Sequence, residues 1–172
     1  MILTALGTIT AYRFHTPKWA TQPTSGAGAA AEGGRANRKG LPALYLALEA
    51  ETAIAEYQQL SSLMPPATLV TYTVTAEPLV DFRGGFDPAL WDPLWADFFC
   101  DWRKLLFNDH IEPPSWVLGD EVVASGAKGL LFPSTRRTGG TNLVLYNDNL
   151  APADVVPYDP NSALPKNQAS WP

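Results

Sequence analysis

A long stretch without helical or strand periodicity limits what this chain can fold into more than any other feature. Residues 17–42 are rich in Gly, Ala, Thr, Ser and Pro, and carry Arg35 near their end. The apolar segment ALYLAL (43–48) follows directly, and then a segment with acidic residues. Loops this long inside a compact domain are usually functional or disordered. The stretch is therefore a dinucleotide-binding turn, a flexible linker or the rim of a site built around one arginine.

Length and charge narrow the class of protein. A chain of 172 residues suits one domain with its own core and is short for two. Its 12 Lys+Arg and 17 Asp+Glu give a net charge of −5, which argues against nucleic-acid binding because phosphate neutralisation needs a basic face. The single cysteine, Cys100, excludes an internal disulfide. Charged residues and prolines interrupt every apolar run before it reaches the length of a membrane-spanning helix, and no basic leader precedes the first apolar segment. We therefore expect a cytoplasmic protein that does not enter a membrane.

Residue spacing predicts the elements of the first half of the chain. TITAYRFH (8–15) alternates as a strand does and places Arg13 on one face with Ile9 and Ala11. Residues 50–64 have apolar residues at helical spacing, ended by Pro65-Pro66. Glu56 falls at the edge of that stripe, about 40° from Leu60, and can face a cleft beside the core. The β-branched segment 67–82 predicts one or two strands.

The second half predicts further helices and two closing strands. Asp87-Pro88 and Asp92-Pro93 are typical helix starts. The second of these helices is expected to present an aromatic stripe to the core, consisting of Leu94, Trp95, Phe98, Trp102 and Leu105. PSWVLGDEVVASG predicts a helix, GLLFPS and TNLVLYN predict strands, and residues 148–172 are expected to be coil. The result is one α+β domain over 1–172, with a mixed or mostly antiparallel sheet and flanking helices.

The common catalytic motifs are absent or incomplete. GAGAAAEGG (26–34) contains Gly-x-Gly, but it lacks the third glycine and the preceding strand of a Rossmann turn. GAKGLL lacks the ending of a P-loop, and no Gly-x-Ser-x-Gly occurs. His15 and His110 are expected to be structural or exposed. Arg35, Tyr45, Glu56 and Ser134 remain as a candidate set, although their residue types alone favour ordinary structural roles.

Three sequence blocks, found in a characteristic order, favour a functional role for these residues. YRFHTPKWA, TSGAGAAAEGGRANRKGLPALYLALEAETAIAEY and GLLFPSTRRTGGTNLVLYN resemble the RES domain, the toxin half of RES–Xre toxin–antitoxin pairs. The resemblance runs from about Tyr12 to Asn147. Arg35, Glu56 and Ser134 match the Arg, Glu and Ser that give the domain its name. Ala36 departs from the family, which usually has an aromatic residue there, and we expect looser packing around the loop.

The resemblance implies a fold similar to the catalytic core of diphtheria-toxin-like ADP-ribosyltransferases, with NAD+ as substrate and no metal. Glu56 would then stabilise the oxocarbenium-like ribose, while Arg35 and Arg13 would grip the pyrophosphate. Tyr45 would stack on nicotinamide, and Ser134 would bind the carboxamide or ribose. Asn142, in the last block, is expected to bind substrate as well. The Gly-rich stretch would be a flexible, close-approaching loop that delivers Arg35.

The resemblance also implies an activity and a partner. We expect a toxin that arrests growth by degrading NAD+ as a phosphorylase or glycohydrolase. A mono-ADP-ribosyltransferase acting on a host protein is the alternative, and a non-catalytic nucleotide-binding module is the third. The expected partner is an Xre-type helix-turn-helix antitoxin. The sequence leaves open the acceptor, the protein target of any transfer, and the oligomeric state, including a homodimer.

Overall fold

One mixed sheet of eight strands organises the molecule. The computed structural model of the chain describes residues 1–169. Its strands are β1 (Leu3–Thr4), β2 (Ile9–His15), β3 (Ala43–Ala47), β4 (Thr68–Val74), β5 (Leu79–Asp81), β6 (Gly129–Pro133), β7 (Thr141–Tyr146) and β8 (Val155–Pro157). Their order across the sheet is β1-β5-β6-β7-β3-β2-β4-β8. Only β5 and β6 pair in parallel within the described chain.

Short helices cover the sheet. They are α1 (Ala27–Glu32), α2 (Ala50–Gln58) and α3 (Pro114–Ala124), with 3-10 turns at Pro17–Trp19, Pro93–Asp97 and Asn147–Asn149 and a π turn at Lys104–Asn108. Among residues 1–169, no helix is both long enough and apolar enough to cross a membrane.

Alternation along the central strands separates two apolar clusters. Leu143 and Leu145 of β7 belong to one cluster, and Val144 and Tyr146 belong to the other, because successive side chains of a strand point to opposite faces. The second cluster contains an aromatic group around Phe82, whose ring centroid lies 4.9 Å from that of Trp95 and 5.2 Å from that of Phe98. Burying each such ring contributes about 1.5–3 kcal/mol. Both faces of the central strands are therefore packed.

The register brings three predicted site residues onto neighbouring strands. Arg13 lies on β2, Tyr45 on β3 and Asn142 on β7, and these strands are adjacent in the sheet. Tyr45 pairs with Val144, and Asn142 pairs with Ala47. The predicted strands at 8–15, 43–48, 129–134 and 141–147 are thus confirmed within one residue at each end, and the segment 67–82 forms two strands.

Four predictions about helices and the long loop need correction. α2 ends at Gln58 and not at Met64, because Gln59 takes a positive φ of 57° and Leu60 finds no surface to pack against, being 86% exposed. The long loop contains α1. Asp92 does cap a helix start, accepting a hydrogen bond from the Leu94 amide, but the helix is a short 3-10 turn. The start predicted at Asp87-Pro88 forms only a turn.

The predicted C-terminal coil is also wrong in part. Val155–Pro157 form β8, which pairs antiparallel with β4 and extends the sheet by one strand. Prolines obscure this strand in the sequence, but an edge strand tolerates them because its outer amides need no partner. Residues 170–172 of the predicted coil lie outside the described residues.

The two histidines have the ordinary roles predicted for them. His110 is exposed, whereas His15 is buried with Nε2 2.6 Å from the Tyr72 hydroxyl. Tyr72 donates its only hydroxyl proton to the Pro23 carbonyl at 2.7 Å. His15 must therefore donate its Nε2 proton to the Tyr72 oxygen. This series of hydrogen bonds links β2, β4 and the long loop.

We expect His15 to make stability depend on pH. Burial, and then the charge of Arg13, lowers the pKa of His15 to about 3, whereas an unfolded histidine has a pKa of about 6.5. Between these values the unfolded state binds a proton that the folded state does not, so stability is full above about pH 6.5 and falls towards pH 3, by at most about 1.4 kcal/mol per pH unit.

His15→Gln keeps an Nε2 donor but cannot be protonated. The variant should show a shallower fall of unfolding free energy between about pH 6.5 and 4, measured by urea denaturation. His110→Gln is the control and should keep the parent slope. A parent-like slope in His15→Gln would contradict the assignment.

Candidate active site

A cavity of about 310 Å³ opens where the ends of β2, β3 and β7 meet α2 and the Arg35 loop. Five of the six predicted site residues border it, namely Arg13, Arg35, Tyr45, Glu56 and Asn142. We call it the arginine cavity, because Arg103 and Arg136 border it as well. A narrower cavity of about 170 Å³ shares four of those five residues, Arg35 being absent from it, and is walled by Tyr12, Phe14 and Tyr57.

Glu56 lies where the two cavities meet, with its carboxylate fixed by two side chains. Its Oε1 accepts hydrogen bonds from Ser134 Oγ and from Asn142 Nδ2, both at 2.7 Å. Ser134 Oγ in turn accepts from the amides of Arg136 and Arg137 at 3.0 and 3.1 Å. The Ser134 hydroxyl proton is thereby directed to Glu56. The sixth predicted residue thus reaches the site through the carboxylate.

A second carboxylate sets the position of the helix that carries Glu56. Glu49, which immediately precedes α2, accepts at Oε2 from Thr52 Oγ1 at 2.6 Å and from the Thr141 amide at 2.9 Å. Thr141 directly precedes Asn142 in β7. Gly140 lies against Thr52 so closely that a Cβ there would overlap its side chain. The start of α2 is therefore fastened to the strand that supplies one of the two donors to Glu56.

The loop that carries Arg35 is held by side chains from the core. Trp116 donates its Nε1 proton to the Gly34 carbonyl at 2.7 Å, and the Tyr146 hydroxyl donates to the Ala36 carbonyl at 2.8 Å. The Ala36 amide donates to the Tyr45 hydroxyl at 3.0 Å. Backbone groups that leave water need such partners. The loop is thus anchored, and the expectation of a flexible loop is wrong.

Asn37 and Tyr45 complete the anchoring. Asn37 is fully buried and its Nδ2 donates to the carbonyls of Ala29 and Leu41, while its Oδ1 accepts from the Tyr45 hydroxyl at 2.8 Å. A Cβ at Gly34 would overlap the Tyr45 hydroxyl, so this position must remain glycine. Ala36 is also fully buried. The looser packing expected from alanine at this position does not occur.

Arg35 uses part of its guanidinium to hold the opposite wall. Its Nη1 donates to the carbonyls of Phe98 and Cys100, both at 3.0 Å, and its guanidinium carbon lies 5.5 Å from the centroid of the Phe99 ring. Burial lowers the pKa of Arg35. The side chain therefore connects its own loop to segment 98–103 at the edge of the arginine cavity.

Arg13, in contrast to Arg35, has a guanidinium nitrogen without a hydrogen-bond partner among the described residues. Its Nη1 is buried and has no hydrogen-bond partner within residues 1–169. Burial is the main cause that lowers the pKa of Arg13, and interactions with Tyr72 and Tyr45 oppose it. A buried cation without a partner is costly. This guanidinium is thus suited to an anion supplied by a ligand.

Part of the cavity wall is formed by residues that the sequence did not predict. Trp102 and Arg103 border the arginine cavity, with the Arg103 guanidinium 4.5 Å from the centroid of the Trp102 ring. The predicted burial of the aromatic stripe is confirmed for Trp95, Phe98 and Trp102. Trp102 lies at the edge of the core, where it also borders the arginine cavity. No motif marks Arg103 or Arg136.

Comparisons with known proteins agree with this geometry. The RES domain family model matches residues 10–167. Among solved structures, the fold is similar to a toxin chain in the crystal structure of the M. tuberculosis MbcT–MbcA toxin–antitoxin complex. That match has a TM-score of 0.62 and 23% sequence identity, and covers 91% of this chain and 85% of that chain. A search of curated proteins finds no significant match. The expected fold class is confirmed.

We expect the Tyr45 hydroxyl to stabilise the Arg35 loop. Tyr45→Phe removes the partner of the Ala36 amide and of Asn37 Oδ1, and leaving these groups unpaired should reduce the unfolding free energy by about 1–3 kcal/mol. Urea denaturation of both proteins measures the difference. Tyr12→Phe on the adjacent strand is the control, since no hydrogen bond of its hydroxyl occurs within residues 1–169. Equal losses in the two variants would contradict the anchoring role.

Proposed function

The chain belongs to the RES domain family, and from that premise we propose that it is the toxin of a toxin–antitoxin pair and degrades NAD+ by breaking the nicotinamide–ribose bond. The observation that carries the proposal is the carboxylate of Glu56, held by Ser134 and Asn142 where two cavities meet. The similarity to a chain of a solved toxin–antitoxin complex supports the toxin role. The Xre type of the partner stays a prediction.

Charge around the cavity supports a dinucleotide substrate. The chain has a net charge of −5, yet Arg13, Arg35, Arg103 and Arg136 all border the arginine cavity. A planar guanidinium grips phosphate oxygens through parallel hydrogen bonds. Arg13 is the strongest candidate for the pyrophosphate, because its buried Nη1 has no partner within the described chain. Arg35 contributes its charge while its Nη1 holds the wall.

Glu56 suits the reaction centre. Cleaving the nicotinamide–ribose bond gives the ribose oxocarbenium character, which a fixed carboxylate stabilises more in the transition state than in the ground state. Ser134 and Asn142 hold Oε1, and within residues 1–169 no hydrogen bond is made to Oε2. We assign to Oε2 the contact with the ribose. Nicotinamide leaves as a neutral molecule, so the carboxylate need not donate a proton.

The hydroxyl and the ring of Tyr45 have different roles. Its hydroxyl is engaged by the loop, while its ring borders both cavities and is available to stack on nicotinamide. Burial raises the pKa of the Tyr45 hydroxyl above its ordinary value. Tyr45 therefore stays neutral and acts by shape and hydrogen bonding, and the cleavage relies on Glu56 for charge.

The acceptor decides between degradation and transfer. Attack by phosphate or water on the ribose gives NAD+ degradation, and attack by a protein side chain gives ADP-ribosylation. The same residues serve both outcomes, so product analysis distinguishes them. Incubating the purified protein with NAD+, with and without phosphate and cell lysate, and identifying the products by mass spectrometry makes that distinction.

We predict that Glu56→Gln reduces NAD+ turnover by on the order of 100-fold or more, because it removes the charge that stabilises the ribose cation while nearly preserving shape. Consumption of NAD+ by the purified variant is measured against the parent. Glu51→Gln, an exposed position on the same helix, is the matched control and should behave as the parent does. A parent rate in Glu56→Gln would exclude Glu56 as the catalytic carboxylate.

A cellular prediction follows from the proposed role. Expression of this chain alone should arrest growth and deplete NAD+, and co-expression of the adjacent gene should restore both by covering the cleft. Expression of Glu56→Gln at the same soluble level should leave growth unaffected. Growth arrest with NAD+ preserved would favour ADP-ribosylation of a protein. Normal growth with confirmed soluble parent protein would refute the toxin role.

A further inference from the structure

A third cavity lies beside the two that meet at Glu56. It has a volume of about 460 Å³ and lies between the end of β2, α1 and the turn at Pro17–Trp19. Phe14, Trp19 and Tyr57 provide aromatic surface, and Gln22 and Ser25 provide polar groups. The Gly-rich stretch contributes one wall through Gly28. We call it the loop cavity.

Arg13 connects the three cavities, since it borders each of them. Its Nη1 is buried and unpartnered within the described residues. Arg35, by contrast, has already committed its Nη1 to the carbonyls of Phe98 and Cys100. Of the two arginines, Arg13 therefore has the greater unmet demand for an anion.

The shape of a dinucleotide matches this arrangement. Its pyrophosphate lies between two nucleosides, so a pyrophosphate at Arg13 with the nicotinamide riboside at Glu56 leaves the other nucleoside on the far side of Arg13. The loop cavity borders Arg13 but not Glu56. We infer that the loop cavity binds the adenosine half of NAD+, with the base stacked on Trp19; this rests on the proposed function.

The charge of the lining agrees with a neutral nucleoside. Arg13 is the only lining residue of the loop cavity with a charged side chain among the residues described, because burial and Arg13 keep His15 neutral by lowering its pKa to about 3. The arginine cavity, in contrast, carries four arginines. Aromatic rings bind a base through its face without needing charge. Trp19 is 55% exposed, with the Lys18 ammonium 5.4 Å from the centroid of its ring, and we assign the base to the ring surface that borders the loop cavity.

Two substitutions test the inference by different means. Trp19→Ala removes the stacking surface, and Gly28→Leu fills the cavity from the opposite wall. A Cβ at Gly28 meets no atom within 4 Å, so the larger side chain enters open space, and leucine favours the helix more than glycine does. Tyr158→Ala is the control for loss of an aromatic side chain, since Tyr158 is 69% exposed and borders none of the three cavities.

The probes are AMP and nicotinamide mononucleotide, titrated separately by calorimetry into the full chain. We expect Trp19→Ala and Gly28→Leu to weaken AMP binding by about tenfold or more, the range that base stacking on an aromatic ring provides. Nicotinamide mononucleotide should bind all variants as it binds the parent. Circular dichroism confirms that each variant is folded.

The outcomes separate this inference from the proposed reaction. Parent-like AMP binding by both variants overturns the inference, and so does a parent that binds no AMP. Equal weakening of nicotinamide mononucleotide binding also overturns it, because the substitutions would then disturb the whole site. If AMP binding is lost selectively but the parent leaves NAD+ intact, the adenosine site stands and the proposed reaction fails. If the parent cleaves NAD+ and neither variant raises its KM, the reaction stands and the adenosine site fails.

Discussion

The anchoring of the Arg35 loop is the constraint on which the site depends. The loop brings a guanidinium beside a cavity, and it can approach so closely only if its backbone groups find partners away from water. Trp116 from α3, Tyr146 from β7 and Tyr45 from β3 provide them. Because those three side chains belong to elements of the core, the packing of the sheet also determines where Arg35 lies.

The positive charge around the arginine cavity is opposite in sign to the net charge of the chain. Four arginines border one cavity of a protein whose net charge is −5. Burial lowers the pKa of both Arg13 and Arg35, whereas Arg103 and Arg136 are exposed. The folded protein therefore holds an unmet demand for negative charge, which a phosphate-bearing ligand satisfies and an uncharged one does not.

Sequence patterns predicted the elements that follow simple periodicity. The strands that carry Arg13, Tyr45 and Asn142 alternate clearly, and Glu56 falls on the helix expected for it. The anchoring of the loop could not be predicted, because the partners of Gly34 and Ala36 lie 82 and 110 residues away in the chain. The helix predicted from Asp92 forms only as the 3-10 turn Pro93–Asp97, so helical spacing does not describe the aromatic residues that follow it. The edge strand β8 was not predicted, because prolines surround it in the sequence.

The two walls of the arginine cavity are held to different degrees. Glu56 is fixed from α2, β7 and the turn after β6, with Glu49 fastening the start of α2 to Thr141. Segment 98–103 pairs with no strand among residues 1–169, and Arg35 donates hydrogen bonds to two of its carbonyls. Local opening takes place where few backbone hydrogen bonds must break. Side-chain hydrogen bonds tie the part of the wall that carries Glu56 to three elements, whereas Arg35 ties the part that carries Trp102 and Arg103 to its own loop. Arg35 borders the arginine cavity and also holds segment 98–103, so an anion that drew on its guanidinium would also change how firmly that segment is held.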